Sequence, residues 1–100
     1  AAIQDHAEAR GFTVVREYTG HAIGRDMHED PLVPNFGIPG TGILLKKGMT
    51  LALEPMLNIG DWRTRRADDD WTVLTVDGSL SAHFEHTIAI TNGEAEVLTR

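Results

Sequence analysis

The sequence of 100 residues contains no cysteine, which excludes a disulfide scaffold, a thiol nucleophile and a thiolate zinc site. Long hydrophobic runs are also missing, since the longest ones, such as Gly42–Leu45, are far too short to span a bilayer. Positive charge is scarce, because 9 Lys and Arg against 15 Asp and Glu give a net charge of −6. A protein that binds nucleic-acid phosphates needs a basic surface. We therefore expect a cytoplasmic protein without a membrane or nucleic-acid partner, whose chemistry depends on His, Asp and Glu.

The length allows one domain at most, and the residue pattern changes from helical to extended near Gly11. Apolar residues in Ala1–Arg10 form a weak helical stripe, and Gly11 stands where a left-handed helix stop is expected. No N-cap residue precedes this stripe, so we expect the chain to be truncated at its N-terminal side. Gly20–Gly42 is predicted to be a long irregular loop, because it holds five glycines and three prolines.

The remaining chain is predicted to form mostly antiparallel strands. Runs rich in β-branched and aromatic residues indicate strands over Phe12–Tyr18, Thr50–Leu57, Trp71–Val76, Ser79–Thr91 and Ala95–Thr99. Lys46–Gly48 predicts a turn, and Asp77-Gly78 and Asn92-Gly93 are dipeptides preferred in tight hairpins. The predicted fold class is α+β, with one helix and a mostly antiparallel sheet.

Glu54 lies in the most apolar stretch of the chain and directly precedes Pro55. A proline cannot donate a ladder hydrogen bond, so it places this strand at a sheet edge or at a bulge just after Glu54. Bulges redirect side chains and recur beside active sites. The alternative interpretation is an ordinary exposed carboxylate on an edge strand.

Two further segments carry chemistry, 20–31 and 81–87. His21 lies between small residues directly after a predicted strand, and His28 follows at a spacing that excludes a helical pair of zinc ligands. Strand alternation places His83 and Glu85 on one face of the sheet. Each side chain alone also fits a solvated or locally hydrogen-bonded position. Together, His21 and the carboxylates of Glu54 and Glu85 would suit a divalent metal.

The segments GHAIGRDMHEDP from Gly20, TLALEPM from Thr50 and WTVLTVDGSLSAHFEHTIAIT from Trp71 resemble the bacterial type I methionine aminopeptidases. The three segments occur in the family's order and at matching separations, and the resemblance covers essentially the whole chain. It implies one half of a pita-bread fold. Residues 1–100 would be the C-terminal half of a metalloaminopeptidase catalytic domain, and the missing N-terminal half would supply two aspartate ligands and another catalytic histidine.

The resemblance also implies residue roles. His21, Glu54 and Glu85 resemble metal ligands, and Glu54 is also implied to shuttle protons. His28 resembles the histidine that contacts the scissile amide. Met27 and Trp71 match positions that line the pocket for the first substrate side chain, although Ala22, Met27 and His83 depart from the residues usual in the family.

The implied activity is metal-dependent removal of the N-terminal methionine from new polypeptides. The parent enzyme would use two divalent ions of Co, Mn, Fe, Ni or Zn, whereas this chain alone is expected to bind at most one weakly and to be inactive. The alternatives are a non-catalytic half-fold that binds a partner, and a related prolidase or aminopeptidase P. We also expect self-association through a sheet face left exposed by the missing half.

Overall fold

The computed structural model describes residues 1–100, which form one short helix and ten short strands. Their bounds are α1 Ala2–Glu8, β1 Thr13–Val14, β2 Gly20–Ala22, β3 Glu29–Val33, β4 Thr50–Leu53, β5 Met56–Asn58, β6 Thr64–Arg66, β7 Val73–Thr75, β8 Ser81–His83, β9 His86–Ala89 and β10 Glu96–Val97. No helix has the length and apolar composition that crossing a membrane requires. The predicted N-terminal helix is confirmed, and Gly11 follows it with a φ of 84°.

All the strand pairs are antiparallel, which confirms the α+β class. One sheet has the order β10-β9-β4-β2-β3, a second has the order β1-β5-β8, and β6 pairs with β7 alone. The core is thin, because only 9 of the 100 residues are buried. Its apolar members are Ala7, Val14, Val15, Leu51 and Ala52. Strand β4 therefore runs through the best-protected part of the molecule.

The two larger sheets are joined by a single interrupted ladder. Leu53 opposes His86 at one side of the interruption, and Met56 opposes His83 at the other side. Each of the two paired segments has two residues between its strands, so Glu54 lies opposite Glu85 and Pro55 lies opposite Phe84. The Phe84 N–H donates to the Pro55 carbonyl oxygen at 3.2 Å. The register is thus unbroken while regular strand geometry is lost at these four residues, which we call the paired break.

Two predicted strands are wrong in length because the paired break divides each of them. Thr50–Leu57 and Ser79–Thr91 each divide into two strands that belong to different sheets. The predicted sheet edge or bulge after Glu54 is wrong, because β4 and β5 each lie between two other strands and the two sides of the break have equal numbers of residues. Pro55 has no N–H for the ladder, which explains why the first predicted strand divides there instead. The neighbour on the other side changes there as well, since β2 lies beside β4 and β1 lies beside β5.

Other predictions also differ from the structure. Gly20–Gly42 is only partly a loop, because it contains β2 and β3. Pro31 is compatible with β3 because β3 is the edge strand of its sheet. The Asp77-Gly78 turn forms, but it does not join a hairpin: β7 pairs with β6, and β8 pairs with β5. The predicted strand Phe12–Tyr18 shortens to β1.

One predicted turn is confirmed, and one predicted hairpin forms with a six-residue connection, 90–95, instead of a tight turn. The Met49 N–H donates to the Lys46 carbonyl oxygen at 3.1 Å just before β4 begins, and Gly48 has a φ of 95°. The segment around Asn92-Gly93 connects β9 to β10, which pair antiparallel.

Candidate metal centre

His21 is the buried histidine at the centre of the site, with 6% of its surface exposed. It lies in β2 directly opposite Ala52 of β4. Gly20 permits this close approach, because a Cβ at that position would lie 2.3 Å from the Ala52 carbonyl oxygen. Side chains that oppose each other in a ladder share one face, and so do residues two apart along a strand. His21 therefore points to the face that also carries Glu54.

The His21 ring has a different partner at each nitrogen. Nδ1 lies 2.9 Å from the Ala22 carbonyl oxygen, so Nδ1 carries the proton in this geometry. Nε2 lies 2.9 Å from Glu54 Oε1. In a neutral imidazole, Nε2 is then an acceptor that faces a carboxylate oxygen. A protonated ring satisfies this contact as an ion pair, and a cation between the two atoms satisfies it equally. A carbonyl that fixes one ring nitrogen is typical of histidines that bind metals.

The two carboxylates of the site come from the paired break. Glu54 keeps 20% of its side chain exposed and lies opposite Glu85, which is exposed. Like charges that oppose each other across a ladder are destabilising. One ligand atom from each of His21, Glu54 and Glu85 lies within 4.8 Å of the others. The structure thus brings together the three residues that the sequence singled out as a possible metal set.

A donor set of one imidazole and two carboxylates fits a divalent cation such as Mn²⁺, Co²⁺ or Zn²⁺. The opposed negative charges are the second reason for the fit, since a cation between them replaces repulsion by attraction. His83 adds another imidazole at the rim, with Nε2 3.6 Å from Glu54 Oε2.

His28 is an exposed side chain beside the metal set. The centroid of its ring lies 4.4 Å from that of His21, with 49° between the ring planes. Both rings line an open cleft of about 490 Å³. The cleft is bordered by Glu17, Tyr18, Thr19, His21, His28, Glu29, Asp30, Leu32, Glu54 and Met56. His28 is thus placed to contact a molecule bound in the cleft without belonging to the group of three.

Met27 and Trp71, the predicted substrate-pocket residues, lie outside the lining of this cleft. Met27 is 71% exposed and Trp71 is 86% exposed. Trp71 instead borders a neighbouring hollow, which shares Tyr18 with the cleft. Their role in recognising the first substrate side chain stays a prediction.

Sequence reasoning missed the acidic wall of the cleft, formed by Glu17, Glu29 and Asp30. Glu29 also fixes the loop that carries His28, because its Oε2 accepts the Asp26 N–H at 3.3 Å. Isolated acidic residues near strand ends normally face water. Only the pairing of β2 with β3 shows that Glu29 and Asp30 border the same cleft as His21.

The resolved pKa shifts lie away from the site, in the loops around β7. Two backbone N–H groups, of Asp61 and Ser79, donate to the Asp77 carboxylate and lower the pKa of Asp77 to about 2. The Thr72 hydroxyl, together with the N–H groups of Thr72 and Trp71, lowers the pKa of Asp69. These bonds stabilise the ionised carboxylates and hold the loops in place.

Comparison with known proteins decides the family. The sequence profile of metallopeptidase family M24 matches residues 1–92, nearly the whole chain. The chain belongs to metallopeptidase family M24. The family is one of metallopeptidases, which are peptidases that use a metal ion. This agrees with the observation that His21, Glu54 and Glu85 form a donor set suited to a divalent metal.

Two bacterial relatives of the chain are both named methionine aminopeptidase. The chain is 58% identical over 97 residues to a methionine aminopeptidase of Clostridium perfringens, covering 97% of this chain and 39% of that protein. It is 52% identical over 99 residues to a methionine aminopeptidase of Escherichia coli, covering 99% of this chain and 38% of that protein.

Solved structures agree with the sequence relatives. The crystal structure of a methionine aminopeptidase from Thermotoga maritima matches with a TM-score of 0.93 and 59% identity, over 98% of this chain and 39% of that one. The structure from Rickettsia prowazekii also gives a TM-score of 0.93, with 50% identity over 99% and 40% of the two chains. The fold is therefore part of the M24 pita-bread fold, and the chain spans about two fifths of the length of its relatives.

Proposed function

We propose that this chain is the C-terminal half of the catalytic domain of a methionine aminopeptidase, which removes the N-terminal methionine from new polypeptides in the cytoplasm. The observation that carries the proposal is the convergence of His21, Glu54 and Glu85 on one sheet face. The high identity to methionine aminopeptidases over 97% of this chain supports the substrate. The 39% coverage of those relatives supports the assignment to one half.

His21, Glu54 and Glu85 would hold the metal, and the two carboxylates supply the charge that divalent ions require. A divalent ion bound there supplies a Lewis acid that polarises the scissile carbonyl and activates water for attack. In the parent enzyme we propose two such ions, of Co, Mn, Fe, Ni or Zn, with further ligands contributed by two aspartates outside this chain.

The remaining roles follow from position in the cleft. His28 lies beside His21 and faces the open cleft, where its ring donates a hydrogen bond to the carbonyl oxygen of the scissile amide as negative charge develops there. Glu54 accepts a proton from the attacking water and passes it to the leaving amine. Met27 and Trp71 would form the pocket for the methionine side chain once the substrate is bound.

The acidic wall of the cleft supports a peptide N-terminus as substrate. Three carboxylates of Glu17, Glu29 and Asp30 border the cleft that contains the metal set. The terminal ammonium of a peptide is the positive group that such a surface attracts.

The isolated chain tests the division of the site between two halves. We expect it to bind at most one Mn²⁺ or Co²⁺ weakly and not to hydrolyse a methionyl peptide, because three protein ligands remain. Calorimetric titration of the chain with Mn²⁺, beside His21→Ala and the remote His6→Gln, measures the binding. Loss of Mn²⁺ binding in the His21→Ala variant, with binding retained in the His6→Gln variant, supports the proposal. Robust hydrolysis by the isolated chain contradicts the assignment to one half, and no Mn²⁺ binding contradicts the metal centre.

The alternative functions are separated by further measurements. A non-catalytic binding module does not require His21, Glu54 and Glu85 to meet, so Ala at these positions would leave peptide binding intact. A prolidase or aminopeptidase P would act on peptides with proline at the cleaved bond. We therefore expect the full-length parent to cleave methionyl peptides and to leave Xaa-Pro peptides intact.

A further inference from the structure

His83 is the one ionisable side chain next to the metal set to which no role has been assigned. It ends β8 opposite Met56. Residues two apart on a strand share a face, so His83 lies on the same side as Glu85 and diagonal to Glu54 across the ladder. Register therefore places the His83 imidazole on the same face as the other three side chains, next to the group of His21, Glu54 and Glu85 but outside it.

The contact between His83 and Glu54 has the wrong length for a hydrogen bond. Nε2 of His83 lies 3.6 Å from Oε2 of Glu54, whereas N–H···O bonds span about 2.7–3.2 Å. Two ligands of one ion, each about 2.1 Å from it, are about 3.0–3.5 Å apart when their bonds form a near-right or tetrahedral angle. At 3.6 Å no hydrogen bond holds the two atoms together, and a small turn of the ring brings them to the separation of two ligands of one ion.

Glu54 consequently lies between two imidazoles. Its Oε1 is 2.9 Å from His21 Nε2, and its Oε2 faces His83. The His83 side chain is 43% exposed, so its ring is free to turn toward an ion.

We propose that His83 Nε2 is a fourth protein ligand for a divalent cation, bound on the Oε2 side of Glu54. The proposal rests on the proposed metal centre and extends it from three residues to four. An added imidazole favours the metals that imidazole suits, which are Zn²⁺ and Ni²⁺, over Mn²⁺, which prefers oxygen. His83 is therefore expected to set metal preference as well as affinity.

The test observes the imidazole nitrogens of the unmodified 100-residue chain directly. Long-range ¹H–¹⁵N spectra of the ¹⁵N-labelled protein are recorded as Zn²⁺ is added, with His6 and His86 as internal controls. We expect the Nε2 resonances of both His21 and His83 to move to the metal-bound range. If His21 responds and His83 does not, His83 is not a ligand and the proposed function stands. If neither responds, the proposed metal centre fails as well.

A variant gives the thermodynamic counterpart. His83→Gln is expected to weaken Ni²⁺ binding about tenfold and to weaken Mn²⁺ binding less, while His6→Gln changes neither. Circular dichroism of both variants checks that the fold is retained. Equal Ni²⁺ affinities for the His83→Gln variant and the unmodified chain would overturn the proposal.

Discussion

The Phe84 N–H donates to the Pro55 carbonyl oxygen at 3.2 Å, and this bond links the two segments of the paired break. The residues next to this pair are Glu54 and Glu85, which carry the candidate carboxylate ligands. The carboxylates therefore lie where regular strand geometry stops but register persists. This arrangement fixes their separation without enclosing them, so a cation and a substrate can both reach them.

Gly20→Ala tests the close approach that positions His21. The new Cβ would lie 2.3 Å from the Ala52 carbonyl oxygen, which is a backbone atom with little freedom to move. We expect a loss of about 1–3 kcal/mol in the free energy of unfolding, together with weaker metal binding, because β2 must move away from β4. Urea denaturation measures the first effect. Gly93→Ala is the matched control, since its Cβ meets nothing within 4 Å, and an equal loss there would contradict this explanation.

Glu85→Gln is expected to act in opposite directions with and without metal. In a chelator, the substitution removes the repulsion between Glu54 and Glu85, so stability stays constant or rises by about a few tenths of a kcal/mol. With Mn²⁺ present at 100 times its Kd, the unmodified chain gains about 2.7 kcal/mol and the variant gains much less. Thermal unfolding followed by circular dichroism reports both effects. Glu94→Gln serves as the control, and an identical Mn²⁺ response of Glu85→Gln and the unmodified chain would disprove the ligand role.

Acid is expected to release the loop that Asp77 holds. The pKa of Asp77 falls to about 2 from an ordinary value of 3.8, so its contribution to stability is present above about pH 4 and is lost as pH falls toward 2. Amide chemical shifts of Asp61 and Ser79, whose N–H groups donate to Asp77, should titrate in that window. Asp77→Asn should abolish the transition and Asp68→Asn should leave it in place. Unchanged shifts down to pH 2 would refute the assignment.

Self-association through an exposed sheet face stays a prediction, and the connection between β3 and β4 offers a further exposed apolar surface for it. Ile38, Ile43, Leu44 and Leu45 are each more than half exposed there. Size-exclusion chromatography with light scattering should show a mass that rises with concentration. Ile43→Ser combined with Leu44→Ser should lower that mass, whereas Lys47→Ser should not. A constant monomer mass at high concentration would count against this expectation.

Local signals were sufficient for some elements and insufficient for others. The N-terminal helix and the turn before β4 depend on neighbouring residues, so the sequence predicts them. Pro55 correctly marks an irregular position, but the predicted edge or bulge is wrong because both flanking strands are interior. The pairing of β7 with β6 depends on distant residues, and the Asp77-Gly78 turn therefore suggested a hairpin that does not form. Glycine and proline in the Gly20–Gly42 segment concealed β2 and β3, since Gly20 is needed for close strand packing and Pro31 is on an edge.

The candidate site likewise contains features that local sequence predicts and features that depend on distant residues. Strand alternation predicts that His83 and Glu85 share a face, because side chains two residues apart on a strand point to the same side. The approach of His21 to Glu54 requires β2 to lie beside β4, and no pattern within either segment encodes that neighbour. The resemblance to a known family provided that information, and the Gly20–Ala52 contact gives its physical basis.

The paired break has a consequence for protein engineers. A redesign that optimised β4 through β5 and β8 through β9 as two ideal uninterrupted strands would replace Pro55 and regain the missing ladder bonds. The resulting scaffold would be more regular, and its acidic side chains would return to the ordinary pleat with altered directions. Automated idealisation of this fold should therefore hold the Glu54-Pro55 and Phe84-Glu85 backbone fixed, because chemistry here depends on a local defect in the sheet.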